Sequence, residues 1–390
     1  MSDSTLPFTI VSRVIDRRTI AFVASRNGNE IATEKYTAGD GNGRRKLANR
    51  WAGDERLTNG HRVSAKDVTA ELERLELETF REMDRVSQEG ANQDKNERPV
   101  ASHVDDDVIV ELAWSVEAGV PDFIVFHRID ATVTRESTVS IGKTTLVIPS
   151  SAAGIVSPGG RVSGAVFVPT EHDPSGENET ILRADIAAFI HRYVELPDGA
   201  EEIGVNYILL TWLYDTFDEL PYLAFRTADA GCGKSRALET IGTLCYRPLF
   251  VGGGSSSAAT LRLLDTYAGT LVADEFDKSA DTELGADLNK ILNQGFQQRR
   301  PLVKCDGENN EPRPFRCFGP KLFAFRKGFG DDATESRTLS ITMRPRTRND
   351  VPINLPRADF DAEALELRNR LLAWRFANYV HNGRSGSRRN

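Results

Sequence analysis

Ala228-Asp229-Ala230-Gly231-Cys232-Gly233-Lys234-Ser235 is the stretch from which the rest of this chain is read. Glycine-rich backbone followed by Lys-Ser is what a chain needs to hold a nucleoside triphosphate. Consecutive N–H groups curl around the β-phosphate, Lys234 reaches the β- and γ-oxygens, and the Ser235 hydroxyl ligates Mg²⁺. The expected phosphate cradle is Ala230, Gly231, Cys232, Gly233, Lys234, Ser235 and Arg236. The apolar run Pro221-Tyr222-Leu223-Ala224-Phe225 before it suits a buried strand. Residues 236–244 after it suit a helix whose N-terminus faces the phosphates. In the pattern G-x-x-x-x-G-K-[ST] the first glycine is here Ala228. The other reading of the same residues is a glycine-rich turn with no ligand.

Thr270-Leu271-Val272-Ala273-Asp274-Glu275 supplies a second part. Three apolar residues predict a buried strand of the parallel type, and two carboxylates emerge at its end. Asp274 is placed to hold Mg²⁺, and Glu275 to orient and deprotonate an attacking water. Between the two motifs, Gly252-Gly253-Gly254-Ser255-Ser256-Ser257 reads as a connector, or as a mobile loop beside the nucleotide. Downstream, 301–305 and 315–318 flank the polar tip Asp306-Gly307-Glu308-Asn309-Asn310, a hairpin signature. Lys304, Arg313 and Arg316 make it basic, fit for phosphate-backbone contact, although a solvated edge hairpin has the same composition. Arg337 precedes a last strand, 338–343. It is placed either to reach the γ-phosphate of a neighbouring subunit or to pair with Asp332 or Glu335.

The 390 residues allow two or three domains, and 27% charged with 39% hydrophobic residues is ordinary for a globular protein. A net charge of −8 argues against nucleic-acid binding over the whole surface, yet leaves room for a local basic channel. No apolar run approaches the roughly 18 residues of a membrane span, and no secretory signal is visible. Four cysteines without a C-x-x-C pair argue against zinc and for reduced thiols, so the expected location is the cytoplasm.

The expected organisation is α/β, with a parallel sheet between helices preceded by β-rich units and a helical segment. A small β-rich unit covers 1–62, with a hairpin turn at Asn27-Gly28-Asn29. A charged helix and linker follow over 63–98: the helix opens at Ser64 with Asp67 as a possible cap, and the linker runs from Gly90 to Pro99. A second β-rich unit is expected over 99–176, with strands near 108–112, 123–126, 144–148 and 165–168. Helices follow near 181–194 and 200–217, then the core over 221–350, and a C-terminal helix and basic tail over 351–390.

Taken together, residues 221–345 resemble an AAA+ ATPase core. More closely, they resemble the superfamily 3-like helicase ATPases of phages, plasmids and integrated elements. The residues that carry the resemblance are Gly231-Cys232-Gly233-Lys234-Ser235, Asp274-Glu275, Leu292-Asn293-Gln294-Gly295-Phe296, Phe318-Gly319-Pro320-Lys321 and Ala333-Thr334-Glu335-Ser336-Arg337. The resemblance implies ATP and Mg²⁺ as cofactors, Arg337 as an arginine finger, and a DNA-contacting hairpin in a central pore. It also implies assembly into a ring, a hexamer, on single-stranded or forked DNA. At the position after Phe325 where the family carries an Asn or Thr, this chain has Arg326. The leading expectation is an ATP-hydrolysing, ring-forming DNA helicase or translocase for replication of a mobile element or phage. The alternative is an ATP-dependent regulatory switch or scaffold. A small-molecule kinase fits less well, since paired acids and a hairpin suit water attack and polymer handling.

Overall fold

The structure is a computed structural model that describes residues 6–16, 19–37, 40–76, 78, 96–160, 164–227, 231–252, 255–274, 283–306, 311–325 and 332–379. The chain divides into two compact units, residues 1–96 and 97–390.

In the first unit, β1 (Thr9–Asp16), β2 (Thr19–Arg26) and β3 (Asn29–Thr37) form an antiparallel sheet in that order. The turn between β2 and β3 places Asn27 and Gly28 at φ 52° and 80°, the left-handed pair that matches hairpin twist. The chain then turns helical, where the sequence had signalled strands only. Helix α1 (Gly41–Ala52) opens on Asp40, whose carboxylate accepts from Asn42 N–H, and α2 (Glu55–Thr58) opens on Asp54 in the same way. Helix α3 runs over 65–76, and Ser64 Oγ accepts from the Lys66 N–H at 3.1 Å, so the serine cap forms without Asp67. Phe22, Leu47, Trp51, Leu57, Val68 and Leu72 close one small core.

In the second unit the segment read as linker ends in a strand. β4 (Glu97–Pro99) runs parallel to β10 (Thr144–Val147), which pairs with β9 (Thr138–Ile141). β5 (Ser102–Val104), β6 (Val108–Ser115), β7 (Val120–His127) and β8 (Thr132–Glu136) form an antiparallel sheet. After α4 (Ala152–Ile155), β11 (Val156–Ser157) and β12 (Val166–Phe167) join the edge of the main sheet. Helix α5 (Glu179–Tyr193) buries Leu182, Ile186, Phe189, Ile190 and Tyr193, a helical stripe, and α6 (Ala200–Trp212) follows.

The main sheet is then laid down by β13 (Tyr222–Arg226), α7 (Lys234–Gly242), β14 (Leu249–Val251), α8 (Ser257–Tyr267), β15 (Leu271–Asp274), α9 (Glu283–Gly295), the hairpin β16 (Leu302–Asp306) and β17 (Glu311–Phe315), β18 (Lys321–Phe325), α10 (Asp332–Glu335) and β19 (Thr338–Thr342). Helix α11 (Arg357–Asn378) ends the described chain. Strand order is β11-β12-β14-β15-β18-β13-β19, and the five strands β14, β15, β18, β13 and β19 are mutually parallel.

The central strands are apolar without interruption because both faces are covered. Leu223 and Phe225 of β13, with Leu322 and Ala324 of β18, enter the core shared with α5, α6, α7 and α11. Tyr222 and Ala224, with Phe323 and Phe325, enter the opposite core with α8 and α9. The protein is thus mixed α/β, with a largely parallel sheet between two helical layers.

Candidate functional site

All five parallel strands point the same way, so the carboxyl ends of β13, β15, β18 and β19 share one edge of the sheet, where α/β folds bind ligands. Gly231 and Gly233 have φ of 80° and 78°, a conformation that other residues adopt only at a cost of roughly 1–2 kcal/mol. Gly233 stands at the start of α7 with no side-chain cap. The first internal bond of that helix is Ala237 N–H to Gly233 C=O at 2.8 Å, so the helix proper begins immediately after the left-handed glycine. Lys234 is half-buried, Ser235 is exposed, and Cys232 turns into the core. A helix start behind two left-handed glycines fits a phosphate group.

Asp274 closes β15 opposite Ala324, and Phe325 on the same neighbour lies opposite Arg226 at the end of β13. One strand therefore separates Asp274 from the strand that feeds the glycine loop, a span of about 10 Å at sheet spacing. That leaves room for a metal ion and phosphate between them. Ala228, Ala230, Glu275 and Arg326 lie outside the described residues.

The Arg236 side chain is turned away from the cradle. Its guanidinium donates to the carbonyls of Tyr193 (3.3 Å), Pro352 (3.2 Å) and Ile353 (3.1 Å), so it ties α7 to α5 and the segment before α11. Only its backbone N–H remains for a phosphate. Arg337 likewise has partners inside its own subunit. Its guanidinium lies 3.7 Å from the Phe296 ring centroid and 3.5 Å from Asn293 Oδ1. It is not paired with Asp332 or Glu335; Glu335 instead takes both ends of the Arg226 guanidinium, which also lies over Phe325. Arg226, unmarked by any motif, thus joins the start of the glycine loop to the segment carrying Arg337.

The hairpin forms with Leu302 opposite Phe315, Lys304 opposite Arg313 and Asp306 opposite Glu311. Side-chain alternation puts Leu302, Lys304, Arg313 and Phe315 on one face, and Val303, Cys305, Pro312 and Pro314 on the other. Arg313 is held: it stacks over Phe315 and donates to Asp265 of α8 at 2.6 Å. The Arg316 N–H also donates to Asp265, at 2.8 Å, while the Arg316 side chain is exposed. Tip residues 307–310 lie outside the described residues.

Two buried polar clusters went unread in the sequence. Glu111 of β6 accepts from Arg375 Nε at 2.8 Å, from Arg247 at 2.5 Å and from the Tyr246 hydroxyl at 2.7 Å. Arg375 also clamps Asp215 at 2.9 and 2.7 Å. The second cluster is Lys321, fully buried at the start of β18. Its ammonium donates to the carbonyls of Gly295 (3.1 Å), Cys317 (3.0 Å) and Gly319 (2.9 Å). Burial pushes its pKa down to about 8, against three acceptors that favour the charged form. Lys321 fastens the end of α9 and the root of the hairpin to the sheet.

Among the described residues, no helix is long and apolar enough to cross a membrane. No family model matches the chain. No curated protein matches it. Solved structures similar to it include a helicase titled "SCCmec type IV Cch - active helicase", at 11% identity over 93% of this chain and 58% of that one, with a TM-score of 0.31. They also include the inhibitor-bound JCV helicase, at 13% identity over 51% of this chain and 52% of that one, with a TM-score of 0.25. The chain thus spans between half and three-fifths of these helicases' lengths, and likeness at such scores carries no weight for function.

Proposed function

We propose that the chain is an ATP-hydrolysing, ring-forming DNA helicase or translocase built on an AAA+ P-loop core. The observation that carries this reading is the start of α7 behind two left-handed glycines, after β13 of a parallel sheet, with one strand, β18, between β13 and the strand that ends in Asp274. Lys234 and Ser235 would meet the β- and γ-phosphates and the Mg²⁺, and Asp274 would hold that ion. Bound ATP would supply the γ-phosphoryl group whose transfer to water releases the free energy, and the chain's own residues would cradle the phosphates and neutralise their charge. Glu275 is the proposed base for the attacking water. Arg337 would swing from Phe296 to a neighbour's site, and a hexamer is the proposed ring.

Phosphate release measured with and without single-stranded DNA tests the reading. Turnover that rises with DNA and with protein concentration is expected, and turnover indifferent to both would remove the ring motor. A second reading is a nucleotide-ordered switch or scaffold. It is favoured by the internal engagement of Arg337 with Phe296 and of Arg313 with Asp265. Strand separation on forked DNA divides the two.

A further inference from the structure

Two adjoining pockets open at the base of the hairpin, away from the glycine loop, with volumes of about 410 and 300 Å³. They share Arg316 and Asp265. The larger reaches back to Arg98 on β4, and the smaller to Arg299 and Arg300 before β16. In a chain of net charge −8 this is a local excess of cations. Asp265, the acid the two pockets share, is already taken by Arg313. Arg98, Arg300 and Arg316 are exposed, and their side chains form no ion pair among the described residues. Arg299 has only a loose surface contact with Asp218 at 4.0 Å, which contributes little.

We propose that this groove binds the sugar-phosphate backbone of single-stranded nucleic acid, with Arg98, Arg316, Arg300 and Arg299 serving successive phosphates. The cations are strung along two pockets instead of converging on one point, as a polymer requires and a single small anion does not. Each pocket is too small for a duplex. Exposed Pro301 and Pro314 beside the arginines offer apolar faces to bases. The groove lies at the hairpin root, where Arg313 and Lys321 hold the backbone still, so the strand would be gripped by the rigid base of the hairpin.

The inference rests on the nucleic-acid reading above, and the test separates the two. Anisotropy of a fluorescein-labelled oligothymidylate is measured against salt for the wild type, Arg98→Ala/Arg300→Ala, Arg316→Ala, Arg316→Lys and, as a charge-matched control, Arg344→Ala. The double variant should bind at least about tenfold more weakly at low salt, and each arginine removed should lower the log–log salt slope by about 0.7. Arg316→Lys should retain most of the affinity, and Arg344→Ala should match the wild type. Wild-type binding with unchanged affinity and slope in the groove variants would overturn the groove and leave the nucleic-acid reading standing. No wild-type binding, or binding of heparin without the oligonucleotide, would overturn both.

Discussion

Arg375 on the last helix donates to Glu111 on β6 at 2.8 Å, although 264 positions separate them in the chain. Both side chains are shielded from water, and Arg247 meets the same carboxylate from the end of the segment after α7. Together they fasten the antiparallel sheet of β5–β8 and α11 to the body that carries the glycine loop.

Glu111→Ala should therefore destabilise the second unit by about 3–5 kcal/mol, because two guanidiniums stay buried without their shared acceptor. Urea denaturation followed by tryptophan fluorescence measures this. A loss under about 1 kcal/mol would mean that water reaches the network, contrary to its burial.

Lys321 gives a pH signature. With a folded pKa of about 8 against roughly 10.4 unfolded, the folded chain binds fewer protons between these values. The cost of burying the ammonium is complete below pH 8 and is relieved as the pH rises toward 10.4, so this residue's contribution to stability grows with pH. Tyr207, Tyr222 and Cys317, pushed up by burial, act in the opposite sense, so a single melt does not isolate it. The stability of the wild type minus that of Lys321→Met should rise across this window. A flat difference would show that the lysine keeps its proton.

What the sequence revealed was local. The strand before the glycine loop, the helix after it and the apolar strand before Asp274 are patterns of neighbouring residues and stand in the structure. The hairpin expected from 301–305 and 315–318 instead pairs Leu302–Asp306 with Glu311–Phe315, because Pro312 and Pro314 made its second strand look like loop. Helix α1 was missed because Gly41-Asn42-Gly43-Arg44-Arg45 looks like a turn, and only the packing of Leu47, Ala48 and Trp51 makes it a helix. Pro99 reads as linker, yet it closes an edge strand where its missing N–H is tolerated. Glu111, Arg247, Arg375 and Lys321 were invisible as a group because each is one charge in an otherwise apolar segment. The available signal was that a charge inside an apolar strand demands a buried partner, but nothing in the sequence says which.

Arg337 makes a prediction about assembly. Arg337→Ala should keep nucleotide binding and lose turnover by about 10³-fold or more. Mixing it with Lys234→Ala should recover part of the rate, since one variant brings an intact cradle and the other an intact arginine. A mixture no faster than the sum of its parts would mean that Arg337 stays on Phe296 and acts, if at all, within its own subunit.

Binding and hydrolysis of Mg²⁺-ATP by the wild type, Lys234→Ala and Glu275→Gln, followed by calorimetry and phosphate release, bear most directly on the proposed site. The wild type should bind and hydrolyse, Lys234→Ala should lose binding, and Glu275→Gln should bind without hydrolysing. Equal binding by the wild type and Lys234→Ala, or no binding by the wild type, would contradict the assignment of residues 231–235 as a phosphate cradle.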